Sequence, residues 1–129
     1  MRKKNNMIEQ NFKRFKHYFE LLDQVFEIER KIEQINEQNS INRNLLKIKD
    51  LIEFSIFMDP SGQQSGLTYY NPIGEAYNET RLDLEASISG DSVENLVVKE
   101  VIKPIIRYKS GSATLIARKG VVIVESSNK

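Results

Sequence analysis

Between Met7 and Ile35 the apolar positions recur at steps of four, three, four, three and four: Ile8, Phe12, Phe15, Phe19, Leu22 and Phe26. That spacing is the seam of a helix packed lengthwise against other helices. Val25, Ile28, Ile32 and Ile35 continue the stripe, displaced by about one position, so the apolar face is wide and drifts round the helix. No Gly or Pro interrupts it, and a helix is predicted from about Asn6 to about Glu37. The five polar residues 36–40, NEQNS, read as a tight connection in which Asn39 or Ser40 caps the next helix. A second helix is predicted from Ile41 to Phe57. There Ile41, Leu45, Ile48 and Ile52 repeat the four-three-four step, and Leu46, Leu51 and Ile56 widen the face.

The pattern changes at Met58–Gly66, MDPSGQQSG, where Asp59-Pro60-Ser61-Gly62 is a turn signature and a loop is expected. Beyond it the residues turn β-branched and aromatic. Short strands are predicted at Leu67–Tyr70 and Glu75–Tyr77, separated by the turn Asn71-Pro72-Ile73-Gly74. A helical turn capped by Asn78 is expected over 78–86, and a loop over 87–94. Leu96–Tyr108 reads as a long strand broken at Pro104, since a mid-strand proline demands an edge or a bulge. A hairpin turn at Ser110-Gly111-Ser112, a strand at Ala113–Arg118, a bulge or kink at Lys119-Gly120 and a last strand at Val121–Glu125 complete the chain. Helices first and strands second give an α+β fold: a helical dimerisation region at 1–58, a linker at 59–66 and a small C-terminal β-domain at 67–129.

A short connection makes the two helices antiparallel neighbours. One such pair buries one side of each helix and leaves apolar surface over. A second copy related by a two-fold axis would cover it, giving half of a dimeric four-helix bundle per chain, with Ile8, Phe12, Phe15, Phe19, Leu22, Phe26, Leu45, Ile48 and Ile52 at the interface. The competing reading lays both helices on the C-terminal sheet within one chain.

With 129 residues there is room for one domain with a sizeable core. A net charge of +1 offers no overall field for a phosphate backbone, so nucleic-acid binding is disfavoured. Cysteine is absent, which removes disulfides, thiolate nucleophiles and sulfur ligands. The single histidine, His17, lies one position off the seam and reads as a helix-flank residue, so histidine-based catalysis is not expected. No Gly-rich loop has phosphate- or dinucleotide-binding spacing. No apolar run approaches the roughly 20 residues of a membrane helix, and MRKKNN is followed by no apolar signal core, so a cytoplasmic location is expected. No catalytic residue, cofactor or metal is expected, and the chain reads as a protein that works by binding.

Helix pair, then β module, is an order that resembles the GrpE family, the nucleotide exchange factors of DnaK-type chaperones. Gly66-Leu67-Thr68-Tyr69-Tyr70 resembles the family's Gly-Val-x-x-Ile entry to its β-domain, and Gly74-Glu75-Ala76-Tyr77-Asn78 is similar to its Gly-Glu-Pro-Phe-Asp. Glu85-Ala86, Leu96-Val97-Val98-Lys99-Glu100-Val101-Ile102 and the closing 116–124 segment are similar to further family motifs. The likeness spans about residues 7–125. The family's histidine is absent, with Leu82 or Leu84 near its place; its Gly-Tyr gives way to Pro104-Ile105-Ile106; and the long stalk helix has no counterpart. The resemblance implies a DnaK-type chaperone as partner, docked through the β-domain so that ADP leaves. It implies Arg118 as the docking arginine, Val122 beside it, and Glu75 and Asn78 as rim contacts. Tyr69 and Tyr77 read as core. Either Val122 and Val124, or Val121 and Ile123, face that core. A dimeric adaptor of the same fold without exchange activity is the alternative.

Overall fold

The computed structural model describes residues 15–35, 40–54, 57–58 and 62–128. Two helices, α1 (Lys16–Ile35) and α2 (Ile41–Phe54), precede seven strands: β1 (Phe57–Met58), β2 (Gln64–Tyr70), β3 (Leu84–Ser89), β4 (Leu96–Lys103), β5 (Ile105–Ser110), β6 (Ala113–Arg118) and β7 (Gly120–Ser126). The fold is therefore α+β, helices then strands, as the change of periodicity predicts. Asn6, Ile8 and Phe12 lie outside the described residues.

The strands form two small sheets, one ordered β1-β2-β5-β6 and the other β3-β7-β4. Pro104 stands between β4 and β5, and Lys119 between β6 and β7, so at each of these points the chain passes from one sheet to the other. A proline, which cannot donate to a ladder, marks the first crossing. β4 carries two bulges, at Lys99 and Ile102, that coil it before it reaches Pro104. β3 runs parallel to β7, while every other pair is antiparallel. Val122 and Val124 are the buried face of β7, at 1% and 0% exposure, which resolves the choice left open by Gly120.

Several stretches differ from expectation: residues 75–77, expected as a strand, make only the isolated bridge of Ala76 to Val97, and residues 87–89, expected in a loop, belong to β3. The second helix is described over Ile41–Phe54, and Phe57, expected at its end, instead pairs together with its neighbour Met58 against Ser65 and Gln64 as a strand. Phe57 is held there by aromatic contact, its ring centroid 4.4 Å from Phe15 and 5.1 Å from Tyr18. Gln64, Ser65 and Gly66, expected in the linker, belong to β2. The expected helical turn over 78–86 is instead an Asx turn followed by strand β3. The Asn78 carboxamide oxygen accepts from the Thr80 backbone N–H at 2.9 Å, capping a turn and not a helix. Leu84, Ala86 and Ile88 then alternate with Glu85, Ser87 and Ser89 at the strand period.

Both helices lie against the strands of their own chain. Phe26 of α1 is buried in the cluster that holds Leu84, Val98, Val101, Ile105, Val122 and Val124. Leu22 and Ile52 join Leu67 and Ile106 in a second cluster, and Val25, Ile32 and Leu45 form the seam between the helices. Leu22 meets Ile52 while Ile32 meets Leu45, so the helices run antiparallel. Tyr69 touches all three clusters, as expected of a core residue, and Tyr77 packs on the first. At Gly66 the contact is backbone to backbone: a Cβ there would stand 2.0 Å from the Glu53 carbonyl oxygen, so only glycine lets α2 come down on β2.

Candidate functional site

Ion pairs fasten the helices to the sheets. Arg118 grips Asp23 with two parallel N–H···O bonds of 2.7 and 2.8 Å and donates a third, of 2.8 Å, to the Pro104 carbonyl. A bulge makes this possible: Ile106 faces Arg118 while Arg107 faces Ile116, so Ala117 is the extra residue that re-aims Arg118 toward α1. Arg30 donates to the Val101 carbonyl at 3.0 Å and lies 5.4 Å from the centre of the Phe26 ring. Lys109 meets Glu53 at 2.9 Å. The Tyr69 hydroxyl donates to Glu29, which also binds Lys49 at 3.1 Å, and the Lys49 ammonium sits 4.8 Å from the centre of the Tyr69 ring. Burial, followed by the bond to Glu29, pushes the Tyr69 phenol well above its ordinary range.

The residues expected to meet a chaperone divide accordingly. Arg118 is committed to Asp23 and Pro104, its side chain 20% exposed. Val122 is core. Neither offers a partner a free side chain. Glu75 binds Arg81 at 3.1 Å and accepts from Tyr70, while Asn78 is exposed on its turn. Arg81 also grips Asp83 with two bonds of 3.0 Å, and that hydrogen bonding holds the Asp83 carboxyl below its ordinary range.

The expected dimer seam is likewise committed. Leu22, Phe26, Leu45 and Ile52 are buried within the chain, and Phe15 and Phe19 are half-buried against the second cluster. These side chains pack on β-strands because the sheets of the same chain offer an apolar surface at no cost in association entropy. Ile48 alone of the described set is exposed. What the helices leave bare is a neighbouring stripe. Leu21, Ile28 and Ile35 of α1 are spaced by seven, as are Ile41 and Ile48 of α2, and all five are exposed together with Leu46, Leu51 and Phe54. Leu46, Leu51 and Phe54 line, with Arg43, Lys47 and Asp50, an open hollow of about 450 Å³. The seven-residue recurrence was readable in the sequence, but so was the competing seam one position away.

A second hollow, of about 720 Å³, lies at the end of the β3-β7-β4 sheet among Ala76, Tyr77, Ala86, Ile88, Val93 and Leu96, with Glu79 its one ionisable side chain besides the Tyr77 phenol. A lone carboxylate offers no acid–base pair. Among the described residues no three His, Asp or Glu side chains are grouped to hold a metal ion, and no helix is long and apolar enough to cross a membrane. No family model, no curated protein and no solved structure matches this chain.

Proposed function

We propose that this chain works by binding protein, as a homodimeric adaptor whose helices pair with a second copy and whose β-rich head engages a partner. One observation carries the reading: the exposed row Leu21, Ile28, Ile35, Ile41, Ile48 and Leu51 along two adjacent antiparallel helices. Exposed apolar residues repeated along neighbouring helices in this way favour an interface. Its seven-residue spacing suits a like-patterned helix pair, and two such pairs across a two-fold axis make a four-helix bundle. Two copies carrying different affinity tags, expressed together, should co-purify, and Ile28→Asp should abolish the pairing. Recovery of each tag alone from the wild-type mixture would refute the reading.

The narrower form is a GrpE-like co-chaperone that promotes ADP release from a DnaK-type chaperone. In its favour are the helices-then-β order and the exposed Asn78 beside Glu75 on the head's rim. Such a module must bind the open chaperone more tightly than the closed one, since equal affinity shifts nothing. With Arg118 and Val122 committed inside the chain, docking would have to use other side chains. ADP release from such a chaperone, measured with and without the protein, decides between the two forms: acceleration supports exchange, and an unchanged rate leaves the adaptor.

A further inference from the structure

Two sheets have four edges, and three of them are managed. The outer edge of β4 is taken up by residues 74–77, with Gly74 donating to Val98, Val98 to Glu75 and Tyr77 to Leu96. β1 is two residues long. β3 alternates its apolar positions with Glu85, Ser87 and Ser89, which solvate that edge. Short length, covering segments and polar residues are the usual means of blunting a sheet edge. β6 has less of this over Ala113–Ile116, where Thr114 is the one polar side chain; its bulge at Ala117 and its Arg118 stand at the far end. It is the last strand of its sheet, it carries no charge and no proline from Ala113 to Ala117, and Ala113–Ile116 are all exposed, Leu115 at 44% and Ile116 at 42%. No backbone hydrogen bond joins it to anything but β5 among the described residues.

The charge around this edge is one-sided. From Val101 to Val124 the chain holds Lys103, Arg107, Lys109, Arg118 and Lys119 and no Asp or Glu. Lys109 and Arg118 are neutralised by Glu53 and Asp23. Lys103, Arg107 and Lys119 have no carboxylate within ion-pair distance among the described residues; Arg107, opposite Ile116 in the register, stacks on the Tyr70 ring at 4.4 Å and meets only the longer-range charge of Asp83, itself gripped by Arg81. A second copy of β6 would bring a like-charged ribbon alongside. The chain's own residues 1–14 hold five cations and one carboxylate, and so are equally ill matched. Nor is a stacking platform of interleaved aromatics present on β6 to receive bases.

We propose that the free edge of β6 accepts an extended, acidic segment of a partner protein as an added antiparallel or parallel strand. Main-chain bonds run to Ala113–Ile116, the added strand's apolar side chains lie on the Leu115 face, and its carboxylates lie on the opposite face, which Ile116 shares with Arg107. Strand addition of this type takes affinity from the backbone and selectivity from the alternating side chains. The inference rests on the reading that the β-rich head is what engages a partner, and it names the edge and the partner's chemistry.

The test uses the full-length protein and a fluorescein-labelled octapeptide alternating Asp or Glu with Val or Ile, followed by anisotropy. Saturable binding is expected, weakened at least tenfold by Ile116→Asp and by Thr114→Asp, each checked for a native circular dichroism spectrum. It should be lost when alternate peptide amides are N-methylated or the acids are replaced by lysine, and kept in Ile28→Asp, which addresses self-association alone. No saturation up to about 1 mM would overturn the proposal. So would equal binding of the N-methylated or lysine peptide, or loss of self-association in Ile116→Asp without any peptide binding.

Discussion

The Arg118 guanidinium and the Asp23 carboxylate meet in a two-bond fork across 95 residues of chain, joining the end of β6 to α1. Both side chains are 20% exposed, so the pair is shielded but not sealed. Removing one partner leaves the other partly buried and uncompensated. Asp23→Ala is expected to lower stability by about 1.5–3 kcal/mol. Arg118→Lys should lose much of the same increment, because an ammonium cannot reproduce the fork. Urea midpoints of both single variants and the double variant give the coupling; additive effects would mean that the pair does not act as a unit.

Gly66 is the second point where helix and sheet are fixed together. Alanine there places a methyl carbon 2.0 Å from the Glu53 carbonyl oxygen and 2.3 Å from that of Ile52. Backbone cannot rotate away as a side chain does, so α2 must lift from β2. Gly66→Ala should cost about 3 kcal/mol, the upper end for overpacking. By contrast, Gly62→Ala has open space round its Cβ and should show only the strain of its φ of 84°. Thermal melts of the two variants side by side would expose any error in this ranking.

Ser65 points the other way. Its residue is 2% exposed and its hydroxyl is buried with no hydrogen-bond partner among the described residues. A polar group that gains nothing from burial still bears its desolvation cost, so Ser65→Ala should raise stability by about 1 kcal/mol. A fall in melting temperature would show that the hydroxyl is satisfied after all.

Two groups give stability opposite dependences on pH. The folded chain holds the Asp83 carboxyl below its ordinary value, mainly by the hydrogen bonds from Arg81. Its contribution is complete above about pH 4, the unfolded value, and fades as pH falls through the folded one. Tyr69 is raised by burial and by Glu29, so its contribution is complete below about pH 10 and fades as pH rises toward the folded value. Asp83→Asn should flatten the acid limb of the stability profile and Tyr69→Phe the alkaline limb. Denaturant midpoints from pH 3 to pH 11 give both limbs; an unchanged acid limb in Asp83→Asn would contradict the assignment.

The helices were legible because their periodicity persists for several turns; the buried face of β7 was not, because Val121, Val122, Ile123 and Val124 are all apolar and only the structure shows Val122 and Val124 inside. Nor was the side of α1 that turns inward. Phe26 and Ile28 are both apolar and two residues apart, so they face different ways, and the sequence carries two seams where a helix can turn only one toward its sheet. What decides between them is long-range: Asp23 reaching Arg118, Glu29 reaching Tyr69, Arg30 reaching the Val101 carbonyl. None of these pairs has a local signature. β3 was missed for a related reason. Its alternation lasts only six residues and follows an asparagine that caps turns and helices alike. For Arg118, the position in the strand was legible but the bulge at Ala117 that turns it inward was not.

The helices lie on their own sheets and still carry a second apolar stripe, which we propose another copy covers. Light scattering on the eluting peak tests this claim directly, for the wild type and for Ile28→Asp/Ile48→Asp at the same concentration. The wild type should show about twice the chain's 15.0 kDa, and the double variant 15.0 kDa with its helical signal and melting transition intact. A wild type that elutes at the mass of one chain would contradict the claim.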